Sequence, residues 1–287
     1  MSERIVLTRP LPPSARAILE AAGEVVAPDG IEPLAPDAIR RLVPGATAIV
    51  AQLYDTIDGE VLDAAGEELR IVANVAAGYN NIDVAAAKAR GVAVTNTPGV
   101  LTDATADLAL ALILTVTRRL GEGERLLRRG EPWSWDLEFM LGTGLRGRTL
   151  GVVGWGQIGR AVADRALAFG MRVVHASARP DAEPRGEGDP PGGAATSLDE
   201  LIRTADVVSL HCPLTPETRH LINAERFAAM RSDAFLVNTS RGPIVDEEAL
   251  LAALREGRIA GAALDVFERE PAVTPGLLEL ENVVAVP

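Results

Sequence analysis

One cysteine, Cys212, is all that 287 residues contain, which excludes an internal disulfide and fits a reducing compartment. Cys212 itself reads as a small buried hydrophobe. Histidine is nearly as scarce. His175, His211 and His220 are scattered along the chain, and with a single thiol they offer no cluster at metal-ligand spacing, so no metal is expected. Long apolar runs are also missing. The longest, residues 108–116, falls far short of a membrane span, and residues 4–8 are too few for the apolar core of a signal peptide. Basic side chains are outnumbered, 28 against 40 acidic, for a net charge of −12. That excess repels a polyphosphate backbone, although local basic groups can still hold a small anion. Neither nucleic acid nor a membrane is an expected partner, and the expected location is cytoplasmic.

What is present is ordinary for a globular protein: 47% hydrophobic and 24% charged residues, with length enough for two domains that each bury a core. Residues 1–98 alternate short apolar runs (5–8, 47–51, 70–74) with helical stretches (14–22, 36–42, 58–65), punctuated by Pro and Gly. This rhythm predicts a parallel sheet with helices on its faces. Asn96-Thr97-Pro98-Gly99 reads as a hinge. After it, residues 102–120 predict a long apolar helix wedged between domains or subunits. Asp103 and Asp107 lie early in it and Arg118-Arg119 late, matching the helix dipole. The charged, Gly-rich segment 121–148 carries Trp133 and Trp135, expected to pack a crossing loop on its own domain or on a partner.

From residue 149 the β/α rhythm resumes, with strands expected at 149–153, 171–175, 206–210, 234–238, 260–264 and 282–286. Helices are expected at 157–169, 198–204, 223–230 and 246–256, and the Pro- and Gly-rich residues 181–193 read as a mobile surface loop. The most informative stretch is Gly154-Trp155-Gly156-Gln157-Ile158-Gly159. It follows a β-branched strand and opens a helix whose Ile158, Ala161, Val162, Ala166 and Phe169 share one face. Strand, Gly-x-Gly-x-x-Gly and helix in that order form the dinucleotide fingerprint. The first glycine turns, the second admits a pyrophosphate and the third packs helix on strand. The expected fold class is therefore α/β. A Rossmann-type doubly wound nucleotide domain spans 99–287, and a flavodoxin-like β/α substrate domain spans 1–98.

An acid at the end of the second nucleotide strand would accept ribose hydroxyls and repel a 2′-phosphate. Here Ser177 stands at that place and Arg179 follows, with no carboxylate before Asp181. Hydroxyl plus guanidinium suits a phosphate monoester, so NADPH is expected to be preferred, with NADH possible. Arg241 falls just past one apolar strand, and Asp265 and Glu270 past the next, on the edge where such sheets bind ligands.

Taken together, several ordered segments resemble the D-isomer-specific 2-hydroxyacid dehydrogenases, especially glyoxylate/hydroxypyruvate reductases. They are Asn74-Val75-Ala76-Ala77-Gly78-Tyr79-Asn80-Asn81-Ile82-Asp83, Asn96-Thr97-Pro98-Gly99-Val100-Leu101-Thr102 and the nucleotide loop. His211-Cys212-Pro213-Leu214-Thr215, Asn238-Thr239-Ser240-Arg241-Gly242 and Leu264-Asp265-Val266-Phe267-Glu268-Arg269-Glu270-Pro271 complete the set. The resemblance covers essentially the whole chain. It implies reduction of a small 2-keto acid, with Arg241 gripping the carboxylate and Leu53, Ala77 and Gly78 contributing to the substrate site. It further implies that Glu270 holds a protonated catalytic histidine and that Asp265 orients the nicotinamide carboxamide. Thr102, Gly154, Gly156, Gln157, Ile158, Gly159, Ser177, Arg179, His211, Cys212, Pro213, Thr218, Thr239 and Ser240 would line the cofactor site, and a homodimer is implied.

In this family the catalytic histidine directly follows the last strand and a proline, and a final helix returns to the substrate domain. The 287 residues stop at Pro287, before either feature. The expectation is a chain that binds cofactor and turns over slowly. D-lactate or phosphoglycerate oxidation and a catalytically weak nucleotide-sensing role remain the alternative readings.

Overall fold

Short β-branched runs alternating with alanine- and leucine-rich stretches build two units, residues 1–101 and 102–287. A computed structural model describes residues 3–178 and 193–287. Arg179 and residues 181–192 of the expected loop lie outside the described residues.

The first unit runs β1 (Glu3–Leu7), α1 (Pro13–Glu20), β2 (Gly23–Val26), α2 (Pro36–Leu42), β3 (Ala48–Ala51), α3 (Gly59–Ala65), β4 (Ile71–Asn74), α4 (Val84–Ala89) and β5 (Ala93–Thr95). Its strands lie parallel in the order β2-β1-β3-β4-β5, the flavodoxin-like arrangement. Helix starts are written locally. Proline opens α1 and α2, while the Asp58 and Asp83 side chains accept the Val61 and Ala86 N–H groups to cap α3 and α4. Val6, Ile49 and Val72 from the strands bury against Ile39, Val61 and Leu62 from the helices.

The second unit begins with α5 (Thr102–Thr117) and α6 (Leu120–Arg128). It continues through β6 (Thr149–Val153), α7 (Gln157–Ala168), β7 (Arg172–Ala176), β8 (Ala194–Ala195), α8 (Leu198–Thr204), β9 (Val207–Leu210) and α9 (Ala224–Ala229). It closes with β10 (Phe235–Asn238), α10 (Glu247–Arg255), β11 (Gly261–Leu264) and β12 (Val283–Ala285). Among the described residues the strands form one parallel sheet, β12-β11-β10-β9-β6-β7-β8. The chain leaves β6 for β7 on one side and returns to β9 on the other, the reversal that opens a crevice at the carboxyl edge.

Strand alternation sorts the core onto two faces. Leu150, Val152, Phe235 and Val237 pack with α5 and α7 through Ala106, Ile113, Val162 and Ala166. Val153, Leu236 and Leu264 face Leu201, Ile202, Phe227 and Leu250 of α8, α9 and α10. Among the described residues no helix is long and apolar enough to cross a membrane.

The helix expected over 102–120 stops at Thr117, whose hydroxyl donates back to the Ile113 carbonyl at 2.7 Å. Arg119 then turns left-handed (φ 54°) and starts α6, its guanidinium forked onto Glu122 at 2.7 and 2.6 Å. Apolar periodicity runs through this break because Leu120 is apolar without being buried. β2, β5 and β8 were not expected. They are short, lie at sheet edges and bury no residue fully, so their apolar stretches are only two or three residues long.

Candidate active site

Because the second sheet is parallel throughout, β6, β7, β9, β10 and β11 deliver their carboxyl ends to one edge. The loops that follow carry most of the residues singled out by sequence. The turn after β6 is held from both neighbours: Gly154 N–H donates to the Ala176 carbonyl at 2.8 Å, and His211 N–H to the Val153 carbonyl at 2.7 Å. Gly154 sits at φ +101°, and a Cβ there would lie 2.5 Å from the Cys212 nitrogen. A Cβ on Gly159 would come within 2.2 Å of the Gly154 carbonyl oxygen, so α7 is seated directly on the turn. Around Gly156, by contrast, the space a Cβ would enter is open.

Gly156 also caps α7 without any side-chain bond. The first N–H groups of any helix lack intrahelical partners, and here Gln157, Ile158 and Gly159 supply them beside that open space. Thr239 adds a second such feature: its hydroxyl is buried and has no hydrogen-bond partner among the described residues. An uncapped helix start, an open approach at Gly156 and an orphaned hydroxyl on one edge fit a bound pyrophosphate and nucleoside.

Asn238 organises the turn that carries Arg241. Its Oδ1 accepts the Ser240 N–H at 3.0 Å, its Nδ2 donates to the Arg241 carbonyl at 2.9 Å, and its own carbonyl accepts the Asp265 N–H at 3.0 Å. The Ser240 hydroxyl donates to the Cys212 carbonyl, tying this turn to the loop after β9. In that loop Thr218 Oγ1 donates to the Pro213 carbonyl and accepts the Thr215 N–H, both at 2.7 Å. Arg241 is half-buried, with Nη1 donating to the Ser240 carbonyl at 2.6 Å. Glu270 accepts the Phe267 N–H at 2.8 Å. Burial, and then the negative charge of Glu270, pushes the Asp265 carboxyl above the usual carboxylate range.

Two buried groups here are chemically quiet. Burial raises the Cys212 thiol to about 11, which leaves it a packing residue. His211 has Nε2 2.8 Å from Ser209 Oγ and Nδ1 sealed off without a partner, and burial lowers its pKa to about 4. Its imidazole is neutral near pH 7. His175 is buried and stacks on Trp155 at 4.0 Å. His220 is half-buried with Nε2 2.7 Å from Glu268 Oε1. Ser177 is half-buried just past β7, and Thr102 is half-buried at the first position of α5. Among the described residues no group of acids, histidines or cysteine is arranged to hold a metal ion.

In the first unit, Leu53, Ala77 and Gly78 are half-buried at the carboxyl ends of β3 and β4. The Ala77 and Gly78 carbonyls are taken by Asn96 and Asn74 side chains at 2.7 and 2.8 Å, which sets the orientation of that turn. Sequence reading missed Asp55, which is fully buried. It accepts from Thr8 Oγ1 at 2.6 Å and Gln52 N–H at 3.1 Å, and pairs with Arg9 at 3.2 Å, fixing the turn that bears Leu53. Nothing local marks Asp55, because Thr8 and Arg9 lie two β/α repeats upstream.

Comparison with known proteins follows the same lines. The family profile described as "D-isomer specific 2-hydroxyacid dehydrogenase, NAD binding domain" matches residues 110–287. A glyoxylate reductase of Thermococcus litoralis is 43% identical, covering 100% of this chain and 87% of its own length. One from Korarchaeum cryptofilum is 46% identical, over 100% and 86%. Among solved structures, the TT0316 protein from Thermus thermophilus superposes with TM-score 0.88 at 47% identity, covering 99% of this chain and 88% of that one. An NADPH-dependent glyoxylate/hydroxypyruvate reductase from Sinorhizobium meliloti, in complex with NADP and malonate, gives 0.85 at 36%, over 100% and 86%.

Two outcomes follow from this geometry. Gly159→Ala forces the turn open, and its dinucleotide Kd, read by fluorescence titration, rises on the order of tenfold or more with a stability loss of about 1–3 kcal/mol. For His211, the unfolded chain takes up a proton between the ordinary value of 6.5 and about 4 that the folded chain refuses. Stability from this group is therefore complete above the unfolded value and falls as pH drops through the window, by about 3 kcal/mol at most. Urea unfolding at a series of pH values should show the wild-type advantage over His211→Gln shrinking as pH falls from 7 to 4.

Proposed function

The chain belongs to the D-isomer-specific 2-hydroxyacid dehydrogenase family, and from that premise we propose that this NAD(P)-dependent oxidoreductase reduces glyoxylate or hydroxypyruvate to the 2-hydroxy acid. The observation that carries the reading is the company Arg241 keeps. A half-buried guanidinium, a helix start with open approach and a buried unpartnered hydroxyl share one sheet edge with two carboxyl groups.

Arg241 would bind the substrate carboxylate as a fork and stabilise charge growing on the carbonyl oxygen. Bound in its reduced form, the nicotinamide cofactor would supply the hydride. Gln157, Ile158 and Gly159 would hold the pyrophosphate through their N–H groups, beside Gly154 and Gly156, with Thr239, Ser240, Cys212, Pro213, Thr218 and His211 around the nucleotide. Asp265 would orient the carboxamide, and Thr102 would stand near the ring. Glu270 would hold the imidazolium of the histidine that the family resemblance expects after Pro287, keeping a proton ready for the product oxygen. His211 is unsuited to that task because burial keeps it neutral. From the first unit, Leu53, Ala77 and Gly78 complete the assignment.

Preference for NADPH over NADH is part of the proposal. It is supported by Ser177 just past β7, with no carboxylate in the sequence between there and Asp181. Arg179, the second residue expected there, lies outside the described residues. A homodimer is supported by the segment after α6, where Trp135 is 95% exposed and Trp133, Leu137 and Leu141 are also exposed. The lone buried thiol fits a cytoplasmic location.

The full-length protein should oxidise NADPH when given glyoxylate or hydroxypyruvate, followed by loss of nicotinamide absorbance. Arg241→Gln should lower kcat/KM by about a hundred- to a thousandfold while the NADPH Kd moves less than about twofold. No turnover with either keto acid, or a loss that falls on NADPH binding instead, contradicts the proposal. The wild-type kcat/KM should favour NADPH, and Ser177→Asp should shift the ratio toward NADH by about tenfold or more, since a carboxylate repels the 2′-phosphate. A wild-type preference for NADH refutes the cofactor assignment.

A further inference from the structure

Glu270 and Arg241 both lie in irregular backbone, one after β11 and the other after β10, yet a shared substrate requires them to keep a constant spacing. Their two loops meet at Gly242. A Cβ there would lie 1.9 Å from the carbonyl carbon and oxygen of Phe267 and 2.5 Å from the Glu268 nitrogen, so the backbones touch with nothing between them. Contact alone resists approach and not separation. The tie comes from Glu247.

Glu247 is the first residue of α10, directly downstream of the Arg241 turn, and only 2% of it is exposed. Its Oε1 accepts the Glu268 N–H at 2.6 Å, and its Oε2 accepts the Thr274 hydroxyl. Both oxygens are thus committed to the loop that bears Glu270, one on each side of it. Glu268 in turn places Oε1 2.7 Å from His220 Nε2, and the His220 N–H donates to the Pro243 carbonyl at 2.8 Å. The bonds run from the Arg241 turn through residue 220 to the Glu270 loop and back through Glu247.

A carboxyl group is a costly way to fill buried space, because an apolar side chain of similar volume would pack without desolvation. Its location at a helix start lowers that cost. Removing it would leave the half-buried Glu268 without the partner of its N–H. We propose that Glu247 is a positioning residue: by clamping residues 268 and 274 it holds the Glu270 loop in place against the Arg241 turn. This rests on the assignment of Arg241 and Glu270 above.

Three variants separate clamping from bulk. Glu247→Ala removes both bonds. Thr274→Val removes one and keeps the shape. Glu247→Gln keeps an oxygen for the Glu268 N–H and turns its NH2 to the Thr274 hydroxyl, which can accept. Hydrogen exchange of the full-length protein reads the clamp without reference to turnover. Glu247→Ala should speed exchange of residues 266–270 on the order of tenfold while β10 and β11 stay as slow as wild type, with Thr274→Val between and Glu247→Gln near wild type. With glyoxylate, kcat should fall on the order of tenfold in Glu247→Ala, more than KM rises, and the NADPH Kd should stay within about twofold.

Unchanged exchange over 266–270 in Glu247→Ala overturns the inference, as does equal acceleration in Glu247→Gln. Acceleration spreading through β10 and β11 overturns it too, because Glu247 is then a fold residue. A wild-type protein inactive on both keto acids would remove the proposed function, and the exchange comparison would still decide whether Glu247 clamps the loop.

Discussion

Parallel pairing of the second sheet is the constraint on which the remainder depends. Each strand from β12 to β8 bonds to its neighbours in a single direction, with Phe235 opposite both Gly261 and Val207 in the middle of the ladder. Because the direction never reverses, the nucleotide turn, the His211 loop, the Arg241 turn and the Asp265 loop all emerge at one edge. The ladder even continues into the loops, through Asp265 N–H to the Asn238 carbonyl and His211 N–H to the Val153 carbonyl. A slip of one residue in β10 would send Phe235 and Val237 to the wrong core and turn Asn238 out of the cage it builds.

On this edge an acidic protein makes room for an anion. The chain carries a net charge of −12, and at this edge the donors are a guanidinium and helix N–H groups that no side chain caps, beside the carboxyl groups of Asp265 and Glu270. Backbone donors carry no desolvated formal charge, so they cost little to keep ready in a half-buried site. The carboxyl groups nearby are held by backbone: Glu270 by Phe267 N–H and Glu247 by Glu268 N–H. Burial then tunes two groups oppositely, lowering His211 to a neutral imidazole and raising Asp265. The loss of water around the charged form is the whole cause at His211 and the larger cause at Asp265, where the charge of Glu270 adds to it.

Most of the second unit's strands and helices could be read along the chain, because each buried strand writes an apolar run and the starts of α8, α9 and α10 carry the capping side chains Ser197, Asn223 and Asp246. The same holds for the nucleotide turn, where Gly154, Gly156 and Gly159 have three different jobs at one short spacing. Short elements that bury little were lost, β5 and α4 among them, although Asp83 before an alanine run is a capping signal that marks α4. The continuation of the long helix past Thr117 was misread, since an exposed Leu120 keeps the apolar pattern going where the backbone turns left-handed.

Residue order by itself determined the α/β class, the glycine turn after β6 and the place of Arg241 just past an apolar run. Those properties follow from patterns a few residues long: strand alternation, glycine spacing, a guanidinium just past an apolar run. Only tertiary structure decided that His211 is neutral, that His220 is tied to Glu268, and that Glu247 spends both oxygens on one loop. Each of these joins residues far apart in sequence, or depends on how completely water is excluded. Burial and long-range partners are properties of the packed chain, and no local pattern encodes them.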